Sequence, residues 1–263
     1  MKRIFNIAAI VIAGTFLGMF FLSTGAHAEK VVRIGTEGAY PPFNYIDRDG
    51  NLQGFDIEIA KALCDAANMT CTFVTQSWDG MIPALLARKY DAIIASMSIT
   101  EERKQRVDFT KKYYQTPARF VKHKDSDIEI TREGLKGKAV GVQRATVSAN
   151  FINDNFADIM TVRSYATQEE ANMDIVSGRV DLLFADAVVL QTGFLETDPG
   201  KNYEFAGPSY TDEEWFGEGI GIAIRKGEDD LREAFNKAII RIREDGTYQK
   251  ISDKYFDFDV YGD

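Results

Sequence analysis

Residues 96–103 read Ser-Met-Ser-Ile-Thr-Glu-Glu-Arg and follow an apolar run, Ala92-Ile93-Ile94-Ala95. Two serine hydroxyls and a guanidinium at the end of a strand-like run suit an anion, above all a carboxylate. Hydroxyls and free N–H groups at a helix start donate to its oxygens, and Arg103 can grip it with two parallel bonds. A plainer reading competes. Ser98 with Glu101 matches the S-x-x-E capping box, which leaves Arg103 as a solvated charge. Acids at other strand ends suggest the opposite chemistry. Asp186 offers an acceptor for an ammonium, or else it caps the helix that follows it. Glu37 favours a cationic group, guanidinium or ammonium. Asp56, in Gly54-Phe55-Asp56, either adds to that charge or is an ordinary first-turn acid. Tyr40, just before Pro41-Pro42, and Trp78, in Gln-Ser-Trp-Asp-Gly, are aromatic faces able to flank a flat or extended group. Core packing is their plainer role, and it suits Phe43, Phe55 and Phe73 better.

These residues need elements to position them. Hydrophobic periodicity predicts strands at 31–36, 72–75, 92–95, 139–142, 160–163, 181–185 and 220–224. It predicts helices at 55–67, 81–88, 148–153, 168–177, 188–195, 229–244 and 247–255, with Gly246 ending the penultimate one. The run 92–95 is apolar throughout, as in a parallel strand buried on both faces. Two internal likenesses organise the pattern. LLARKYDAIIAS (85–96) matches IVSGRVDLLFAD (175–186), and IGTEGA (34–39) matches VGVQRA (140–145). The chain therefore reads as two similar α/β lobes. They meet through extended segments near 113–119 and 208–219. The expected division is 29–115 and 213–263 for the first lobe and 116–212 for the second. In open α/β sheets ligands bind at the carboxyl ends of the strands. The repeat places Glu37 and Ser96 at those ends in one lobe, and Gln143 and Asp186 in the other. Facing lobes would turn all four into one cleft, with Ser98 and Arg103 at its wall. An acceptor and a guanidinium set against each other suit the zwitterion of an α-amino acid.

Composition narrows the classes. The chain carries 31 Lys and Arg against 40 Asp and Glu, a formal charge of −9. Nucleic-acid binding rests on neutralising phosphates, so this balance argues against it. Residues 1–28 begin with Lys2 and Arg3, continue apolar, and end Ala26-His27-Ala28. That is the pattern of an export signal cleaved after Ala28, with a retained membrane anchor as the alternative. Its removal takes two basic residues and leaves −11, with His123 as the only histidine. One histidine makes a metal centre or a Ser-His-Asp site improbable. No cofactor is expected. Cys64 and Cys71 are the only cysteines. In an exported chain they are expected to form a disulfide between a helix and the next strand.

The mature chain resembles the periplasmic solute-binding proteins of amino-acid ABC importers. It is most similar to the lysine/arginine/ornithine- and histidine-binding group, with opine-binding proteins close by. The segments that carry the likeness are RIGTEGAYPPFNY (33–45), GFDIEIAKALC (54–64), SWDGMIPAL (77–85), DAIIASMSIT (91–100) with Arg103, KGKAVGV (136–142), GRVDLLFAD (178–186) and DGTYQKISDKYFDFDVYGD (245–263). The resemblance implies a type II periplasmic binding protein fold: two lobes, each a mixed sheet flanked by helices, with two crossing strands as a hinge. It also implies a periplasmic, monomeric receptor that is not an enzyme and delivers a basic L-amino acid to a membrane permease. Carried over by position, Arg103 and Ser98 take the α-carboxylate and Asp186 the α-ammonium. Tyr40 and Trp78 flank the side chain, and Ser96 and the backbone of Ala95 face it. Glu37 takes the distal cation, and Gln143 stands where relatives often carry an apolar residue. The usual Gly-Ser/Thr-Thr turn is Ala145-Thr146-Val147 here, so the hydroxyl at 147 is missing and Thr146 is the candidate to replace it. An opine such as octopine or nopaline is the alternative ligand. A cyclohexadienyl-dehydratase-like enzyme and a sensor ectodomain are the rival functions.

Overall fold

The computed structural model describes residues 30–262. The expected export signal lies outside them. In chain order the first part comprises β1 (Lys30–Thr36), β2 (Ala39–Tyr40), β3 (Asn44–Ile46), β4 (Leu52–Gln53), α1 (Phe55–Ala66), β5 (Met69–Thr75), α2 (Met81–Leu86), β6 (Ala92–Ile93), α3 (Glu101–Lys104) and β7 (Val107–Phe109). The middle comprises β8 (Ala118–His123), α4 (Arg132–Leu135), β9 (Ala139–Gln143), α5 (Val147–Phe156), β10 (Thr161–Tyr165), α6 (Gln168–Val176), β11 (Leu182–Asp186), α7 (Ala187–Leu190) and β12 (Tyr203–Tyr210). The return comprises α8 (Glu213–Phe216), β13 (Ala223–Arg225), α9 (Asp229–Glu244) and α10 (Thr247–Ser252).

Two five-stranded sheets result, ordered β5-β1-β6-β13-β7 and β10-β9-β11-β8-β12. They have the same plan. In each, three parallel strands are followed by two antiparallel ones, the fourth strand pairing antiparallel with both neighbours. The internal likeness in the sequence is thus a repeat of topology, β1 corresponding to β9 and β6 to β11. The run 92–95 is parallel on its β1 side and antiparallel on its β13 side.

Each sheet has its own core. Val32, Ile34, Ala92 and Ile224 pack against α1 and α9, while Phe120, Val140, Val142 and Phe184 pack against α5. Helix α9 shows why the pattern folds as it does. Leu231, Phe235, Ala238, Ile239 and Ile242 are its buried residues, one stripe at helical spacing. Gly246 follows it at φ +81°, in the left-handed region that ends helices.

The structure shortens several expected elements. The strand at 220–224 is Ala223–Arg225, because Ile220 instead bridges Ser98 and Tyr114 singly. The helix at 188–195 is a single turn, α7, followed by a wider turn over Gln191–Leu195. Strands β8 and β12 flank segments that the sequence marked only as extended, and they pair with each other. The first crossing between lobes runs through Gln115–Pro117. It is tied to the C-terminal segment by Gln115 N–H donating to the Val260 carbonyl at 2.9 Å.

Cys64 and Cys71 form the expected disulfide, with Cα atoms 5.9 Å apart. It joins the end of α1 to the edge strand β5, and neither cysteine lines the cavity between the two sheets. Replacing both cysteines by serine is expected to cost about 2.5 kcal/mol, from the loop-closure entropy of so short a loop. For a chain of this size that lowers Tm by roughly 5–10 °C in a thermal melt, with ligand affinity held within about twofold.

Candidate ligand-binding site

Glu37, Ser96, Gln143 and Asp186, which end or follow β1, β6, β9 and β11, line one cavity between the two sheets. Its empty space is about 720 Å³, part of it open to solvent. The lobes are closed over it. Gln143 Nε2 donates to Glu37 Oε1 at 2.6 Å, so residues at matching positions of the repeat meet across the cleft. Trp78 Nε1 donates to the Ala145 carbonyl at 2.9 Å, and Arg144 pairs with Asp79 at 2.7 Å.

Arg103 lies on α3. The helix is capped by Thr100, whose hydroxyl accepts from the Arg103 N–H at 3.3 Å. The capping box read at Ser98 and Glu101 is therefore displaced by two residues, because the bridge to Ile220 holds Ser98 in extended structure. The Arg103 guanidinium donates to the carbonyls of Ser98 at 3.0 Å and Ala145 at 3.4 Å, and it lies 5.3 Å from the Trp78 ring centroid. Among the described residues no carboxylate forms an ion pair with it. Burial lowers its pKa to about 10.

Asp186 is a helix cap, as the plainer reading had it, and it stands on the cavity wall. Its Oδ1 accepts from the N–H groups of Val188 and Val189 at 2.9 and 3.2 Å, capping α7, while the residue also lines the cavity. Glu37, Tyr40, Trp78, Ala95, Ser98 and Thr146 reach the cavity as well. Trp78 is buried, which its polar neighbours in sequence did not suggest; it packs with Met81, Leu85 and Met97, and its indole N–H is satisfied by the second lobe. Thr146 has its hydroxyl engaged twice, donating to the Gln143 carbonyl at 2.7 Å and accepting from the Ala149 N–H at 3.1 Å as the cap of α5. Ala145 before it has φ +58°, a left-handed conformation costly for a residue with a Cβ.

Asp56 is a correction. It lies behind the wall, fully buried, and does not line the cavity. Its carboxylate accepts from Asn44 Nδ2 and Ser96 Oγ, each at 2.9 Å, and from the Tyr113 hydroxyl at 2.8 Å. It thereby holds Ser96, which has φ +55°, in place at the wall. The sequence reading missed the contribution of the crossings. Gln115, Thr116, Thr211 and Gly219 line the cavity, as do Val147 and Ser148 from the first turn of α5. The crossings had been located, and any segment spanning a closed cleft must form part of its floor.

A family described as bacterial extracellular solute-binding proteins, family 3, matches residues 32–258. The chain belongs to that family. Among its relatives, an L-arginine-binding protein of Pseudomonas aeruginosa is 52% identical over 237 residues, covering 89% of this chain and 91% of that protein. A histidine-binding periplasmic protein of Escherichia coli is 45% identical over 265 residues, covering both in full. Among solved structures, an ancestral arginine-binding protein bound to arginine superposes with a TM-score of 0.81 at 37% identity, covering 88% of this chain and all of that one. The fold of this solute-binding protein is accordingly the type II periplasmic binding protein fold.

The electrostatics of the cavity follow from burial. Desolvation raises Glu37 to about 7, against the donation from Gln143. It raises Asp186 to about 6 and Asp56 to about 6. For such raised groups the contribution to the closed, folded state is complete below the unfolded values near 4 and is lost as pH rises through 6 to 7. A cation beside the carboxylates reverses the sign: its contribution is present at high pH and lost as they protonate. The increase in Tm produced by a fixed concentration of arginine is therefore expected to grow between pH 5 and pH 8. In Glu37→Gln the growth should end near pH 6, which scanning fluorimetry with and without arginine will show.

Proposed function

We propose that this solute-binding protein captures a basic L-amino acid, arginine first, between its closing lobes and presents it to the permease of an ABC importer. The observation that carries the reading is the Arg103 guanidinium. It is half-buried and, among the described residues, hydrogen-bonded to carbonyls, with carboxylates placed elsewhere on the same cavity wall. A guanidinium so placed favours an anion, and the ligand α-carboxylate supplies one. Asp186 takes the α-ammonium. Glu37 takes the cationic end of the side chain, which runs between Tyr40 and Trp78. The arginine-, histidine- and lysine/arginine/ornithine-binding relatives support the ligand class. The export pattern of residues 1–28 and the relatives named periplasmic support a periplasmic location. The described residues include no helix long and apolar enough to cross a membrane.

An opine fits less well. Its extra carboxylate needs a second donor group, and both amide donor positions recorded for Gln143 are directed to Glu37 and to the Ala166 carbonyl at 3.1 Å. No step of bond making is required of any residue, and the relatives cited are binding proteins.

Calorimetry of the purified chain against arginine, lysine, ornithine, histidine and octopine tests the reading. Arginine should bind most tightly and octopine should give no heat. Arg103→Ala should weaken every amino acid by about 100-fold or more, because a buried carboxylate loses its charged partner. Glu37→Gln should weaken arginine and lysine by about tenfold or more and leave a neutral amino acid such as glutamine unaffected. Near-native affinity for arginine in the Arg103 variant would refute the site.

A further inference from the structure

Thr116 stands in the first crossing, between the sheet of β1 and the sheet of β9, and its side chain lines the cavity. Its hydroxyl donates a hydrogen bond to Asp186 Oδ2. The flanking backbone reinforces the contact. The Pro117 carbonyl accepts from the Ala187 N–H at 2.8 Å, and Ala118 is the register partner of Asp186 across β8 and β11. The crossing therefore wraps the carboxylate.

The hydrogen bonds of Asp186 determine what it can still do. A carboxylate has about four lone-pair positions. Oδ1 already accepts from the N–H groups of Val188 and Val189, and Oδ2 from Thr116. The remaining position is on Oδ2. A threonine hydroxyl has one hydrogen, and here it is directed at that same oxygen, which leaves the Thr116 oxygen as a second acceptor beside it. An ammonium, with three N–H groups, matches two adjacent acceptors of this kind; a neutral methyl or methylene does not.

We propose that Thr116 is a positioning residue for ammonium recognition: its hydroxyl fixes Oδ2 of Asp186 so that the one open lone pair of that carboxylate faces an α-ammonium in the cavity. The proposal rests on the reading in which Asp186 takes that group. Because Thr116 belongs to the crossing, the arrangement also ties ammonium recognition to the segment through which the lobes are joined. Removing the hydroxyl leaves burial less opposed, so the carboxyl protonates at higher pH than in the wild-type protein.

The test compares arginine with 5-guanidinopentanoic acid, which is arginine without its α-ammonium, on wild type, Thr116→Val and Thr116→Ser by calorimetry. Thr116→Val should lose about tenfold for arginine and, within about twofold, nothing for the deamino analogue, as expected when a charge-assisted hydrogen bond is lost. Thr116→Ser, which keeps the hydroxyl, should restore arginine binding. The loss in Thr116→Val should widen as pH falls from 8 to 6. Equal losses for both ligands, or failure of serine to rescue, would mean that Thr116 only supports the crossing and would overturn the proposal. Equal affinity of the wild-type protein for the two ligands would sink the Asp186 reading itself, and the proposal with it.

Discussion

A guanidinium half withdrawn from water, with no acidic partner among the described residues, is the constraint on which the proposed site depends. Arg103 is held by two carbonyls and an aromatic ring. Those contacts fix its position without neutralising its charge. The acids of the same cavity are restrained in the same manner: Asp186 by a helix start and Thr116, Glu37 by Gln143. Had Arg103 been free to reach either carboxylate, an internal ion pair would have filled the site and competed with any zwitterion. Keeping the charges apart costs desolvation on both sides, visible as a lowered arginine and raised acids. In the proposed reading a ligand bearing both charges offsets that cost, so the same few residues would set both affinity and selectivity.

How much of this could be read from the sequence varies with distance along the chain. The long amphipathic helices and the apolar strands were legible because periodicity records one local choice of buried face. Helix α9 matches its expected limits, 229–244. The repeat was legible because two copies of a strand-end pattern survive at 85–96 and 175–186. Through it, four cavity residues could be placed before any coordinates. What was not legible depends on partners far along the chain. Ser98 looks like a cap until its bridge to Ile220, 122 residues on, draws it into extended structure. Asp56 looks like a ligand acid until Asn44 and Tyr113 close over it from positions 12 and 57 residues away. Trp78 looks too polar in context to be buried, yet it packs with Met81, Leu85 and Met97 of its own lobe, and its indole N–H finds the Ala145 carbonyl of the other, 67 residues away.

The residue before Thr146 shows how closure is enforced locally. The Ala145 carbonyl accepts from both Trp78 and Arg103, the two side chains that reach it from the opposite lobe. Its left-handed backbone presents that oxygen to them. Glycine would adopt the conformation without strain, and the resemblance places a glycine at this turn in relatives. Here the Cβ makes the turn stiffer. Contacts between lobes and the wall of the cavity then share residues, because Trp78 and Arg103 belong to both.

That sharing bears on how the lobes move. A hinge that lay outside the cleft could bend without regard to what the cleft holds. In this chain the crossings form part of the cavity wall, through Gln115 and Thr116 on one side and Thr211 and Gly219 on the other. The first is also fixed to the C-terminal segment at Val260 and to α10, where the Tyr248 hydroxyl donates to the Tyr113 carbonyl at 2.7 Å. If those ties hold as the lobes rotate, the bend falls in the few residues beyond them, which line the cavity. Hinge closure of this kind brings the opposed charges and the aromatic faces together in one step. In the proposed reading, a guest that satisfies only one lobe leaves the other lobe's charges without partners, and closure then favours ligands that engage both.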